Sequence, residues 1–144
     1  MMSTIELKWA DRTLGGAQTP RRFLDFVING ESLYQKLGDV ISPLGWLSAE
    51  ETRKIVNRFL RREPADFLND RTSIYVCPEC GDLDCGAVSA VIERIGDDII
   101  WRDFGYQNTY DDTIHFEDYE DVGPFTFNAT EYYNEITKAL EKQT

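Results

Sequence analysis

Apolar and polar residues alternate close to the start of the chain. Ile5, Leu7 and Trp9 are separated by charged residues, and this period of two predicts a half-buried strand. Residues 22–29 are apolar and rich in aromatic and branched side chains, which predicts a second strand. A Gly-Gly pair within residues 14–20 predicts a turn. We therefore expect the two strands to pair as a hairpin.

Two helices are predicted from their start signals. Ser48 and Glu51 have the S-x-x-E spacing of a capping box, and apolar residues then recur along one helical face to about Arg62. Asn128 and Glu131 repeat this spacing before the final stretch of the chain, where apolar residues again fall on one side. The second half of the chain is therefore expected to end in a helix.

The remaining apolar runs predict further strands. They cover residues 73–77, 87–95, 98–104 and 124–128. Gly96 and Asp97 form a tight hairpin turn between two of these runs. With a short helix over residues 31–37, the pattern predicts an α+β fold, in which two or three helices pack against an antiparallel sheet. We expect residues 1–144 to form one domain.

The composition is that of a folded protein. The chain has 144 residues, of which 42% are hydrophobic and 28% charged, so it is long enough to bury a core and unlike a disordered sequence. The first residues lack the apolar core of a secretory signal, and no apolar run approaches the length of a membrane span. The three cysteines are crowded together, which fits a reducing compartment. We expect a soluble, cytoplasmic protein.

The charge is distributed very unevenly. Residues 1–72 hold eleven Lys/Arg and ten Asp/Glu, whereas residues 73–144 hold four Lys/Arg and sixteen Asp/Glu. Residues 103–137, called the acidic segment here, contain no Lys or Arg. Its acids are Asp103, Asp111, Asp112, Glu117, Asp118, Glu120, Asp121, Glu131 and Glu135. Such a surface repels nucleic acid and anionic lipid and attracts a basic partner.

One motif has recognisable metal chemistry. A C-x-x-C pair with a third cysteine nearby is provided by Cys77, Cys80 and Cys85. Zinc ribbons present two thiolates in this way, but a closed zinc site needs four ligands. The one histidine, His115, lies thirty residues further on, and Asp82 or Asp84 would be an unusual substitute. We expect no cofactor here, and we expect the thiols to be compact, partly buried side chains. Zinc bound by the three cysteines is the alternative. A redox role is disfavoured because no helix follows the C-x-x-C pair.

Catalysis has no comparable signature. His115 is the sole imidazole, and we expect it to be a surface or edge-strand residue beside carboxylates. The pairs Asp111-Asp112 and Glu120-Asp121 could bind a cation, but they lack the spacing of a calcium loop. The chain also has no phosphate-binding glycine loop and no G-x-S-x-G. We therefore expect a protein that is not an enzyme; an enzyme using His115 is the weaker alternative.

Large aromatic residues are interleaved with the acids between Trp101 and Tyr133. Tyr and Trp anchor interfaces, and surrounding acids steer a cationic partner. The combination suits an inhibitor that covers the basic, substrate-binding surface of a nuclease. Alternatively, the aromatics form core and the acids a solvated face, and we expect about half of the aromatics to be core. The predicted contact residues are Tyr110, Asp111, Asp112, Glu117, Asp118, Tyr119, Glu120 and Asp121, with the two tyrosines as anchors.

Three motifs in the second half resemble those of a little-characterised bacterial family. That family has a Cys/Gly-rich strand pair, a W-x-D-F strand, and G-P-F-x-F before a Tyr-containing helix. The matching residues here are 77–87, 101–104 and 123–127. In size, acidity and mixed fold the chain is also similar in type to immunity proteins of bacterial toxin systems, including contact-dependent growth inhibition. The resemblance implies a protein that binds and neutralises a cognate toxin domain.

Overall fold

A computed structural model describes residues 2–13, 20–79, 85–110 and 113–142. Strands and helices follow one another within these ranges. The elements are β1 Ile5–Asp11, β2 Arg22–Ile28, β3 Glu31–Ser32, α1 Leu33–Leu37, α2 Ala49–Phe59, β4 Arg71–Val76, β5 Ala87–Ile95, β6 Asp98–Gln107, β7 Phe125–Asn128 and α3 Ala129–Thr137. Short 3-10 turns cover Glu117–Tyr119 and Lys138–Leu140.

The strands form two antiparallel sheets. The first has the order β1-β2-β3 and the second the order β4-β5-β6-β7. The predicted α+β class is confirmed, although the strands divide between two sheets instead of forming one. The division arises because both sheets have an apolar inner face, and each face is buried against the other sheet and the helices. The predicted first hairpin is confirmed, with Ile5 opposite Ile28 and Asp11 opposite Arg22; residues 14–19 of its predicted turn lie outside the described ranges.

The core is centred on Trp101 of β6. Its ring makes edge contacts with Phe26 of β2 at 5.2 Å and with Phe59 of α2 at 5.8 Å between centroids. Trp101 Nε1 donates to the hydroxyl of Tyr132 on α3 at 3.1 Å, and that hydroxyl donates to the Phe59 carbonyl at 2.8 Å. All four residues are buried. The polar atoms of this cluster therefore have partners, as buried polar groups require.

Both predicted helix starts are confirmed. The Ser48 hydroxyl accepts from the Glu51 amide at 3.1 Å, and the Asn128 side chain accepts from the Glu131 amide at 3.1 Å. The predicted end of α2 at about residue 62 is too late. Arg61 takes a left-handed φ of 60°, which ends the helical backbone at Phe59.

A bulge interrupts β6 where it pairs with β5. The register shifts between the pairs Ser89–Gly105 and Val91–Arg102, so β6 has one residue more than its partner there. Asp103 has a φ of 56° at this point. As a result the Asp103 side chain is exposed while Phe104, the next residue, is buried. Bulges re-aim side chains in this way.

Within the described ranges, no helix combines the length and the apolar character that crossing a membrane requires.

Candidate partner-binding site

An open groove of about 600 Å³ lies on the outer face of the second sheet. Its floor includes Glu93, Ile100 and Thr126, which are successive cross-strand partners on β5, β6 and β7. All three are only half-buried, because this face points away from the Trp101 core. An isoleucine on the outer face of a sheet leaves an apolar surface open to a partner.

The segment after β6 forms one wall of the groove. Phe116, Tyr119 and Glu120 line it together with Val122 and Pro124. The 3-10 turn Glu117–Tyr119 lies within this wall, and the Val122 amide donates to the Tyr119 carbonyl at 3.0 Å. The wall thus combines aromatic side chains with the Glu120 carboxylate of the acidic segment.

Arg102 forms an ion-pair triplet at the groove. Its Nε donates to Glu93 at 2.9 Å, and its Nη1 contacts the Asp103 carboxylate. The hydrogen bonds to Glu93 and then to Asp103 raise the pKa of Arg102 above its ordinary value. The three side chains are between a third and about half exposed. Because they are partly solvated, the triplet contributes little to stability and instead sets the local charge pattern.

Of the predicted contact residues, Tyr119 and Glu120 line this groove. Glu117, Asp118, Glu120 and Asp121 are exposed, and Tyr119 is half-buried in the wall. Burial, followed by the charge of Asp118, raises the pKa of Tyr119. Tyr110 is 77% exposed and is not among the residues that line the groove. Asp111 and Asp112 lie outside the described ranges.

The four exposed acids of residues 117–121 have no ion-pair partner among the residues that the structure describes. Ion pairs elsewhere use acids such as Asp39, Asp66 and Glu135. In the part of the chain that the structure describes, no ion pair includes Glu117, Asp118, Glu120 or Asp121. The Lys36 ammonium does approach this loop, but it donates to the Asp121 carbonyl at 3.4 Å. Their charge therefore remains available to an external cation.

The aromatic residues of the second half divide between core and surface. Trp101, Phe104, Phe127 and Tyr132 are buried, and Tyr106, Tyr119, Phe125 and Tyr133 are half-buried. Tyr110 and Phe116 are exposed, by 77% and 42%. The expectation that about half would be core is consistent with this division. Phe116 was not predicted as a contact residue, yet it lines the groove.

Arg71 lies next to the groove and contacts residues that line it, although nothing in the sequence indicated this position. The residue is 3% exposed, and its guanidinium lies over the Phe116 ring, 5.4 Å from the centroid. Nη2 donates to the carbonyls of Ser89 and Asp103, and Nε donates to Ser89 Oγ and Gln107 Oε1. Burial lowers the pKa of Arg71. The Arg71 side chain therefore contacts both the backbone of the bulge at Asp103 and the Phe116 ring in the wall of the groove.

The cysteine motif adjoins the acidic segment through Tyr106. The Tyr106 hydroxyl donates to the Cys85 carbonyl at 3.0 Å. Burial raises the pKa of Tyr106, and the Cys77 and Cys85 thiols add to this effect. Tyr119 is also electrostatically coupled to Tyr106. Two regions that the sequence presents as separate are therefore neighbours in the fold.

The structure describes two of the three cysteines, Cys77 and Cys85. Cys77 is half-buried and Cys85 is exposed, whereas Cys80, Asp82 and Asp84 lie outside the described ranges. Among the described residues, no group of three or more His, Cys, Asp and Glu side chains could hold a metal ion. Zinc at Cys77, Cys80 and Cys85 stays a prediction.

His115 is exposed and makes an isolated backbone bridge with Tyr106. Its amide donates to the Tyr106 carbonyl at 2.9 Å, and the Tyr106 amide donates back at 2.9 Å. This position agrees with the expectation that His115 is a surface or edge-strand residue. It extends the sheet beside the groove by one pairing.

Comparison with known proteins finds no matching family model, no matching curated protein and no matching solved structure. The function proposed below is therefore based on charge and geometry.

Proposed function

We propose that this chain is an immunity protein, which binds and neutralises a cognate bacterial toxin domain, a basic nuclease. The observation that carries the proposal is the wall of the groove. There, the exposed Glu120 carboxylate lines the groove with half-buried Tyr119 and exposed Phe116. Glu117, Asp118 and Asp121 are exposed in the same segment, and none of the four acids has an ion pair among the described residues. A surface of this kind matches the basic face that a nuclease needs in order to hold nucleic acid.

The mechanism is steric occlusion. The acids orient the toxin and speed its approach, and the aromatic side chains supply apolar contact area once the two surfaces meet. The toxin's nucleic-acid groove is then covered by a surface of the same charge sign as its substrate. This mechanism needs no chemical step by this chain.

Co-expression tests the proposal directly. The C-terminal domain of a large secreted protein encoded next to this chain would be produced with and without it, scoring growth and co-purification. We expect the toxin domain to stop growth alone, and this chain to restore growth and to form a stable complex. Toxicity without rescue, or the absence of any toxic neighbour, would contradict the immunity function.

The alternative function is a small zinc-binding module. It is favoured by the C-x-x-C spacing of Cys77 and Cys80, with Cys85 close by in the chain. Cys85 would add a third thiolate. Measuring zinc in protein purified without a histidine tag decides between the alternatives, since one equivalent would be bound and chelation would weaken cooperative folding. A metal content near zero would exclude the module.

A further inference from the structure

We propose that the groove on the outer face of the second sheet receives an arginine side chain of the basic partner. Because this names the group that the partner inserts, it rests on the proposed function. The groove is suited to such a side chain in three separate respects, namely its floor, its charge and its aromatic wall.

Apolar side chains form part of the floor and continue beyond it. Ile100 lies on β6, and Phe104 and Val122 continue the apolar lining toward the wall. The Phe104 ring packs against the Phe125 ring, with ring centroids 5.8 Å apart. An arginine buries its aliphatic stem along a surface of this kind while its charged head stays in a polar environment.

The charge of the lining favours a cation. Three carboxylates and one guanidinium line the groove, a net charge of −2, contributed by Glu93, Asp103, Glu120 and Arg102. A neutral apolar group would take solvent away from the carboxylates without replacing their hydrogen bonds. An anion would be repelled. A cation complements this lining in both its charge and its hydrogen-bond acceptors.

Arg102 already shows that these carboxylates hold a guanidinium. It engages Glu93 and Asp103, and within the described residues Glu120 has no ion pair. Glu120 is adjacent in sequence to Tyr119, and both line the groove. A planar guanidinium forms two-point hydrogen bonds with a carboxylate and stacks on aromatic rings, whereas an ammonium group is a compact, strongly hydrated charge. The pair Tyr119 and Glu120 therefore favours arginine over lysine.

The inference is tested by nuclear magnetic resonance with a small probe. The acetylated and amidated tripeptide Gly-Arg-Gly is titrated into ¹⁵N-labelled protein at low salt. We expect saturable shifts at the amides of Ile100, Phe104 and Gly123. The same tripeptide with citrulline, which has the shape of arginine without its charge, should bind at least about tenfold more weakly, a difference near 1.4 kcal/mol. The lysine tripeptide should also bind more weakly.

Matched variants separate the groove from the general acidity of the protein. Glu120→Gln removes one lining charge, and Thr126→Trp fills the floor without changing charge. Their controls are Glu63→Gln and Thr130→Trp, at exposed positions away from the groove. Both groove variants should weaken arginine binding at least about fivefold, and both controls should leave it unchanged. Glu120→Gln is a surface change, so it remains informative even if Thr126→Trp fails to fold.

Three results would overturn the inference: no saturable shift, equal binding of the citrulline or lysine probe, or equal weakening by the control variants. Failure here is distinguishable from failure of the immunity function. If a toxin is neutralised equally well by the groove variants, the arginine site is wrong and immunity stands. If the probe binds as expected but this chain does not restore growth in the presence of the toxin domain, the arginine site stands and the immunity function is wrong.

Discussion

The hydroxyl of Tyr75 on β4 donates a hydrogen bond to the carboxylate of Asp25 on β2, and this buried contact links the two sheets. Asp25 also accepts from Ser32 Oγ at 2.5 Å and from the Tyr34 amide at 3.2 Å. Tyr75 and Asp25 are 0% and 2% exposed. A buried carboxylate with three donors is stable only while the sheets hold these donors in place.

Replacing Tyr75 by Phe removes this link. We expect the free energy of unfolding to fall by about 1.5–3 kcal/mol, the usual loss for a hydrogen bond to a charged group. Urea denaturation measures the change. Tyr110→Phe is the matched control, because the Tyr110 side chain is exposed and should change stability little. Equal stability of the two variants would contradict the role of the Tyr75–Asp25 bond.

Alkaline pH should destabilise the protein through the same residue. Burial, followed by the Asp25 charge, raises the pKa of Tyr75 well above its ordinary value of 10.0. The folded chain therefore keeps a proton that the unfolded chain loses above pH 10, so stability is present below that pH and falls as pH rises. The loss for this residue approaches about 1.4 kcal/mol per pH unit. Urea denaturation at pH 9, 10 and 11 should show that the free energy of unfolding declines less steeply for Tyr75→Phe than for the wild type. Parallel declines would show that Tyr75 does not cause the loss of stability at alkaline pH.

Arg71 should be a major source of stability. Arg71→Met leaves the Ser89 and Asp103 carbonyls without a buried donor, so we expect a loss of about 2–4 kcal/mol in the free energy of unfolding. Arg53→Met is the control, since Arg53 is exposed on α2. Amide shifts should also move at the Asp103 bulge and at Phe116. A small loss without such shifts would show that the bulge forms independently of Arg71.

Gly86 permits the contact between the cysteine motif and Tyr106. A Cβ at Gly86 would lie 2.0 Å from the Tyr106 hydroxyl oxygen. Gly38 has nearly the same φ, 103° against 101°, but open space around it. Both alanine variants therefore carry backbone strain, and Gly86→Ala should lose about 1–3 kcal/mol more than Gly38→Ala because of overpacking. Similar losses in urea denaturation would mean that Tyr106 moves aside at little cost.

Charge reversal should slow association with the proposed toxin partner. Asp118→Lys with Asp121→Lys changes two exposed acids of the wall, and we expect the association rate at low salt to fall about tenfold or more. Salt screens such charges, so the difference should shrink as ionic strength rises. Stopped-flow mixing measures the rates, with Glu50→Lys and Glu63→Lys as the charge-matched double control. An unchanged rate would remove the acidic segment from the interface.

Local sequence determined the helix starts and the main hairpins. Ser48 and Asn128 cap their helices through amides only three residues away, and the turn at Gly96 and Asp97 joins adjacent strands. Signals of this short range are readable because the partners are neighbours in the chain. The uneven charge is likewise a property of the sequence itself.

Only the tertiary structure decided which residues meet. Arg71 looks like an ordinary surface charge in the sequence, yet its acceptors Ser89 and Gln107 lie 18 and 36 residues away. Phe116 and Phe127 are the same residue type, but one lines the groove and the other is core, because only one sheet face is covered. The left-handed Asp103 and the meeting of Tyr106 with Cys85 also depend on register between strands. Residue pattern specifies local elements, whereas burial and register depend on contacts between elements distant in the chain.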